Sequence, residues 1–319
     1  MRGKGENSMP NILGHHHMSM MTKDAALNYH FYTKVLGLRL AKKTVNQDDP
    51  TMYHLFYGDQ TGSPGTALTF FEMPNLGSTY QGTNAIQRIG LIVPNKASLL
   101  FWQERLAEFK VEHSDIEEYR ERAAIHFKDP DGLPLVLMAE ENQASTFWQA
   151  WEHSPVPKEQ QIRGMGTIEM KVRRLDKMVG MLTELFSYEL VDKVAGAATL
   201  QVADGGLTGE ILLIEADGKQ ERPGKGSVHH IAIRVQDQDE IAYWEKEIEK
   251  RGFRSTGIID RHYFQSLYFR ESNGILFELA TDGPGFEVDG IGEKLALPPF
   301  LEKDRAKIEA RLEPIGGVI

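Results

Sequence analysis

The sequence predicts an α+β fold of four βαβββ modules, set in two tandem domains at 11–145 and 162–285 and followed by a tail at 286–319. Three observations carry this. The chain has 319 residues, which suits about two domains at roughly 150 residues each. One strand–helix–strands order recurs four times at similar spacing, the signature of an internal repeat. The stretch 145–161, with Pro155 and Pro157, divides the repeats two and two and reads as a linker.

The first unit opens at GHHHMSM, and a helix is predicted over 24–36. Leu27, Phe31 and Val35 recur there at helical spacing. Gly37 is its stop, and strands follow near 38–45, 53–57 and 66–71. His15-His16-His17 follows Ile12-Leu13-Gly14 and leads into Met18-Ser19-Met20, so it reads as a strand rather than a purification-tag remnant. The second unit opens at IQRIGLIVP, with a helix over 99–110 and strands near 123–127 and 133–138 joined by the turn Asp129-Pro130-Asp131-Gly132. The third opens at GMGTIEMKV, with a helix over 175–186 and strands near 199–202 and 210–214. The fourth opens at VHHIAIRV, with a helix over 239–251 and strands near 266–269 and 275–279. A unit standing alone would leave a sheet face bare, so units should pair. In the tail, a charged helix over 302–312 is expected to present a solvated face, or to cover a cavity edge or another chain.

Composition narrows the function. There are 46 acidic and 36 basic residues, a net charge of −10 with no basic run, which argues against nucleic acid as a partner. Cysteine is absent, which excludes disulfides, thiol nucleophiles and Cys-ligated metal, and fits a reducing compartment. No apolar run reaches the ~18 residues that cross a bilayer, and MRGKGENSMPNILGHHH has no stretch of signal-peptide type. The expectation is a cytoplasmic protein without a membrane partner.

The four opening strands align without gaps, and one column reads His17, Arg88, Thr167, His230. Strand alternation puts this column on one face and the preceding residues on the other. The closing strands, aligned on their turn glycines, give Thr69, Val136, Leu213 and Glu278. Ligand-type side chains occupy His17, His230 and Glu278 only. Glu278 sits in the apolar run Ile275–Leu279, where a lone carboxylate costs several kcal/mol unless paired or coordinated. Two imidazoles and a carboxylate with open positions suit non-haem Fe(II) and related ions.

The βαβββ repeats, FYTKVLGLRL at 31–40, the DPDG turn and the ligand columns resemble the vicinal oxygen chelate superfamily of glyoxalases, bleomycin-resistance proteins and extradiol dioxygenases. The resemblance runs from about residue 11 through nearly the whole chain. It implies mixed, curved sheets forming open barrels. Ordinary catechol-cleaving members draw all three ligands from the C-terminal half, where this chain has Thr167 in the third unit. The first-unit His17 and the segment 42–71 resemble instead the hydroquinone-type ring-cleaving dioxygenases. That subgroup implies units one and four around the metal cavity and units two and three paired without metal.

The resemblance also implies roles. Tyr268 and Arg261 match the active-site tyrosine and arginine. His229 is a candidate acid–base group, although alternation points it to the opposite face. His16 is a candidate substrate-binding residue by the same resemblance; from their positions alone, His262 beside Arg261 is an alternative proton carrier or substrate contact, and Thr69 of the closing-strand column a further substrate-binding candidate. Glu72, an odd step from Thr69, should face away. The expected activity is a ring-cleaving (extradiol-type) dioxygenase taking Fe(II), with Mn(II) as second choice. Its partners would be a small aromatic diol and O2, a homo-oligomer is allowed, and the subgroup suggests quinone detoxification. One rival is a glyoxalase-type isomerase or lyase, which would need a further carboxylate where Thr69 stands. The other is a metal-free binding protein, which leaves three aligned ligand-type residues unexplained.

Overall fold

The computed structural model describes residues 10–141, 143–203 and 205–315. The N-terminal residues 1–9, and with them part of the signal-peptide reading, lie outside the described residues, as do tail residues 316–319.

Unit one comprises β1 (His15–Thr22), α1 (Ala25–His30), β2 (Arg39–Val45), β3 (Tyr53–Gly58) and β4 (Ala67–Glu72). Unit two comprises β5 (Ala85–Val93), α2 (Lys96–Glu108), β6 (Glu117–Tyr119), β7 (Arg122–Lys128) and β8 (Pro134–Ala139). Unit three comprises β9 (Met165–Val172), α3 (Leu175–Glu184), β10 (Glu189–Val194), β11 (Ala197–Gln201) and β12 (Ile211–Glu215). Unit four comprises β13 (Val228–Val235), α4 (Gln238–Lys250), β14 (Ser255–Asp260), β15 (Phe264–Arg270) and β16 (Leu276–Pro284). The tail adds β17 (Gly292–Leu295) and α5 (Arg305–Glu309).

Side chains start three of the helices. Asp24, Asn95 and Asp237 each accept a hydrogen bond from a first-turn N–H of α1, α2 and α4. The predicted 24–36 helix is α-helical only as far as His30, and a π turn over Phe31–Val35 replaces the rest. There the Thr33 hydroxyl donates to the Tyr29 carbonyl at 2.7 Å, and Leu36 N–H reaches back to the Phe31 carbonyl at 3.0 Å.

The four units pair across the two halves of the sequence. Units four and one make a nine-stranded sheet in the order β14-β15-β16-β13-β1-β4-β3-β2-β17, and units three and two an eight-stranded sheet, β10-β11-β12-β9-β5-β8-β7-β6. Within units the first and last strands run parallel; the seams β1–β13 and β5–β9 are antiparallel. Alternation then sorts side chains. Met18 and Met20 of β1 enter the main core with Trp102, Trp244 and the helix-facing residues, while His17 and Ser19 line the inside of the first sheet. Inside the second sheet Val136 packs with Ile92, Ala124, Met138 and Leu207, so the position equivalent to Glu278 is filled by apolar contact.

The unit-three column shifts by one residue. Leu212, not Leu213, pairs with Glu169, two residues past Thr167, and Leu213 belongs to the main core. Gly65, Gly132 and Gly274 turn with φ of 87°, 92° and 92°, whereas unit three enters β12 through a 3-10 turn, Gly206–Gly209, that breaks the alignment.

The tail helix is shorter than the predicted 302–312 and is not simply solvated. Ile308 is buried against Val45 and Leu297, pinning the tail to β2. The 145–161 segment also packs against the body: Val156 joins the core, and the Trp148 indole donates to the Ile162 carbonyl. Among the described residues no helix is long and apolar enough to cross a membrane.

Candidate metal centre

Three side chains from three strands converge inside the first sheet. His17 comes from β1, His230 from β13 and Glu278 from β16, all buried. Glu278 Oε2 lies 3.1 Å from His17 Nε2 and 2.8 Å from His230 Nε2, and the two nitrogens are 3.3 Å apart. Oε2 nevertheless has no hydrogen bond of acceptable geometry. Converging donor atoms around an unsatisfied buried oxygen are what a cation would resolve. Burial pushes the Glu278 carboxyl up, but the adjacent His17 and His230 outweigh it and hold it well below the usual range. Burial lowers His230 despite the nearby Glu278.

The histidine tautomers suit metal binding. His16 Nε2 lies 3.1 Å from the Thr281 carbonyl, which can only accept, so that nitrogen carries the proton. Burial, then the neighbouring His17, depresses His16 to about 3, so its ring is neutral and its Nδ1 accepts. His17 Nδ1, 2.9 Å away, must then donate, which leaves the Nε2 lone pair facing the centre. His229 Nδ1 likewise lies 2.7 Å from His230 Nδ1. His229 keeps part of its surface exposed, and desolvation in the cavity wall, then His230, lowers it to about 4.

His16 and His229 owe their positions to β-bulges. The β1–β13 register passes from His15↔Ile233 to His17↔Ala232, and from Ser19↔His230 to Met20↔Val228, so each residue is the extra one in its strand. The bulge brings His229 into the cavity wall against ideal alternation. His16 is a correction: it is buried behind His17, is not among the cavity-lining residues, and fixes the tautomer of His17 instead of meeting substrate.

The cavity is about 410 Å³. Tyr268 pairs directly with Glu278 across β15–β16, shares its face and lines the cavity. Burial, with the Glu278 charge beside it, pushes its phenol up, so Tyr268 is a donor at neutral pH. Arg261 also lines the cavity, lies over the Tyr268 ring at 5.5 Å, and donates to Asp48 through its two terminal guanidinium nitrogens at 3.1 and 2.9 Å. Gln47 donates to the Arg261 carbonyl, so the sheet curls until the β2–β3 and β14–β15 loops meet at the mouth.

Two further expectations are corrected. Thr69 is fully buried behind His54, bonded to it at 3.0 Å and to Ser19 at 2.7 Å, and does not line the cavity. His262 sits at φ 71° in the β14–β15 turn, which directs its ring toward Asp289, 3.6 Å away, and off the cavity. Glu72 faces away as expected, accepting from Ala25 N–H.

Sequence reasoning missed Ser266, Ser19, His54 and Thr44. Ser266 donates to Glu278 Oε1 at 2.5 Å and holds the carboxylate's orientation. It lies two residues before Tyr268, and Ser19 two after His17, so alternation applied outward from the ligands would have found both.

A family model described as the Glyoxalase/Bleomycin resistance protein/Dioxygenase superfamily matches residues 14–137 and 164–279. MhqA of Bacillus subtilis (strain 168), provisionally named a ring-cleaving dioxygenase, is 48% identical over 95% of this chain and 99% of its own. A chlorohydroquinone/hydroquinone 1,2-dioxygenase of Sphingobium indicum is 30% identical over 89% of each chain. The crystal structure of a B. subtilis protein, titled provisionally as a dioxygenase, superposes with a TM-score of 0.88 at 35% identity, covering 96% of this chain and 98% of the other. Maize glyoxalase I, at 14% identity and a TM-score of 0.63 over 85% of this chain and 92% of its own, shares the fold.

Proposed function

The chain belongs to the Glyoxalase/Bleomycin resistance protein/Dioxygenase superfamily, and from that premise we propose that it is a metal-dependent dioxygenase that opens the ring of a hydroquinone-type diol. The observation that carries this reading is the two-histidine, one-carboxylate set shared between units one and four, with both histidines on the wall of a cavity. Fe(II) is the proposed ion, with Mn(II) as the alternative; this donor set with open positions is the one used by non-haem oxygenases. His17, His230 and Glu278 would hold it, and when bound it would supply a redox centre and a Lewis acid for O2 and the diol.

The remaining steps belong to the chain's own groups. Ser266 and His16 fix Glu278 and His17. Tyr268 donates its O–H to oxygen on the substrate, His229 offers a second N–H beside His230, and Arg261 sets a cation near the mouth for a phenolate or the acid product. Met21, Met52, Phe56, Phe71, Phe264 and Leu276 give the ring an apolar slot that keeps bulk water off it. Quinone detoxification is part of the same reading, because such an enzyme consumes the reduced form of a quinone.

Oxygen uptake tests it. Protein reconstituted anaerobically with Fe(II) should consume O2 with hydroquinones and only weakly with catechol, and a Mn(II) arm separates the two ions. Uptake that prefers catechol would place it with the ordinary extradiol enzymes, and no uptake with any diol would refute the reading. The glyoxalase-type alternative is disfavoured because Thr69, where a further carboxylate would stand, is engaged by Ser19 and His54.

A further inference from the structure

A diol whose hydroxyls sit at opposite ends of one ring places two demands on its site. One oxygen goes to the metal set; the other points away from it and must find partners on a different wall. His17, His230 and Glu278 occupy β1, β13 and β16, and Tyr268 lies beside them on β15. Past β1 the sheet continues through β4 to β3 and β2, and these two strands curl round to form the other side of the cavity.

Two polar side chains stand on that wall. Thr44 of β2 and His54 of β3 are direct cross-strand partners, so they point the same way, and both line the cavity. The Thr44 hydroxyl is buried beside the Tyr263 hydroxyl but makes no well-aligned hydrogen bond, because Tyr263 donates to Asp289 at 3.0 Å. His54 is held between Phe56 and Phe71, with ring centroids 4.0 and 4.1 Å away and the planes tilted by 41° and 31°. Its Nε2 is committed to Thr69 Oγ1 at 3.0 Å, and among the described residues nothing bonds its Nδ1. Thr69 and Ser19 continue the chain behind it at 2.7 Å. An unpartnered buried hydroxyl and a ring fixed by three neighbours are costly arrangements for a wall that touches nothing polar.

We infer that His54 and Thr44 form the recognition site for the hydroxyl para to the metal-directed one, and so select para-diols over ortho-diols. This rests on the diol reading above. With Nε2–H donating to Thr69, His54 Nδ1 accepts the substrate O–H, and the Thr44 hydroxyl donates to the same oxygen. No bond is made or broken; the pair positions the ring and satisfies the second hydroxyl. Burial keeps the imidazole neutral, as an acceptor requires. A catechol carries its second hydroxyl next to the first and leaves this wall unmet. A site built to bond a hydroxyl discriminates strongly against ligands that lack it there.

The test is a comparison of ligands and variants by anaerobic calorimetry on the Fe(II)-loaded protein. Hydroquinone and 4-methylphenol differ only in the distal group. The wild type should bind hydroquinone roughly ten- to a hundredfold more tightly, and His54→Leu should erase most of that difference while leaving 4-methylphenol affinity nearly unchanged. Thr44→Val gives a second, milder arm. It should weaken hydroquinone by about fivefold while holding or raising the melting temperature, because it removes an unsatisfied buried hydroxyl. A purely structural role would move stability and both ligands together. Equal affinity for both ligands in the wild type, or an undiminished preference in His54→Leu, would overturn the assignment. A His54-dependent preference without O2 uptake on any diol would uphold the subsite and sink the dioxygenase reading instead.

Discussion

Ser266→Ala isolates the support of the metal centre from the centre itself. Ser266 is fully buried and donates to Glu278 Oε1 at 2.5 Å, while Oε2 faces the two imidazoles. Removing the hydroxyl leaves Oε1 without this donor in a place that solvent does not reach. A hydrogen bond to a charged group contributes about 1.5–3 kcal/mol. Losing such outer support typically weakens metal binding roughly 10–100-fold. That ratio corresponds to about 1.4–2.7 kcal/mol, so the two scales agree. The metal-free protein should melt lower by roughly 3–6 °C, taking about 2 °C per kcal/mol for a chain of this size. The assay is a chelator-competition titration of Fe(II), with Mn(II) in parallel, alongside thermal melts with and without metal. Metal affinity within twofold of wild type would refute the reasoning, because Glu278 would then be oriented by something other than Ser266.

Other expectations follow from the same geometry. Tyr268→Phe keeps the ring and should retain full metal content and melting temperature while kcat falls roughly 10²-fold; lost metal in atomic-absorption analysis would make it a structural prop. Asp48→Asn frees Arg261 from an exposed partner, so KM for the diol should change by less than about fivefold, and the difference should vanish in high salt. Asp129 is pushed up to about 6 by burial, against the pull of the N–H groups of Leu133 and Asp131. Its folded-state value lies above the ordinary one, so its stabilising contribution is complete below about pH 4 and is lost as pH rises through about 6. Urea midpoints should therefore fall for wild type relative to Asp129→Asn across that window; parallel profiles would contradict the assignment.

Much of this was legible in the sequence because the repeat is strict where it matters. The opening strands of all four units align without gaps, so His17 and His230 could be placed in one column, and β1–β13 pairing brings them within 3.3 Å. Glu278 could be read because a carboxylate in an apolar strand demands a partner. What alternation could not give was the pair of bulges: one extra residue in each strand moved His229 into the cavity while His16 stayed behind His17. The shift from Leu213 to Leu212 had a similar origin, a 3-10 turn in place of a left-handed glycine. Strands β6, β10, β14 and β17 escaped because β6 has only three largely exposed residues, β10 is exposed along its length, β14 alternates weakly, and β17 pairs only with β2. His54 was hidden by its surroundings in Tyr53-His54-Leu55-Phe56, where no pattern separates a cavity wall from a core face.

The central claim is that a single ion is held by both halves of the chain, and it is tested most directly by metal content. Wild type, His17→Ala, His230→Ala and Glu278→Ala are to be loaded anaerobically with Fe(II), desalted and assayed for bound metal, with circular dichroism as the check on folding. The account predicts about one ion per chain in the wild type and loss of stoichiometric metal in each of the three variants, all of them folded. Full metal content in His17→Ala, with loss in His230→Ala, would contradict it and confine the site to the C-terminal half.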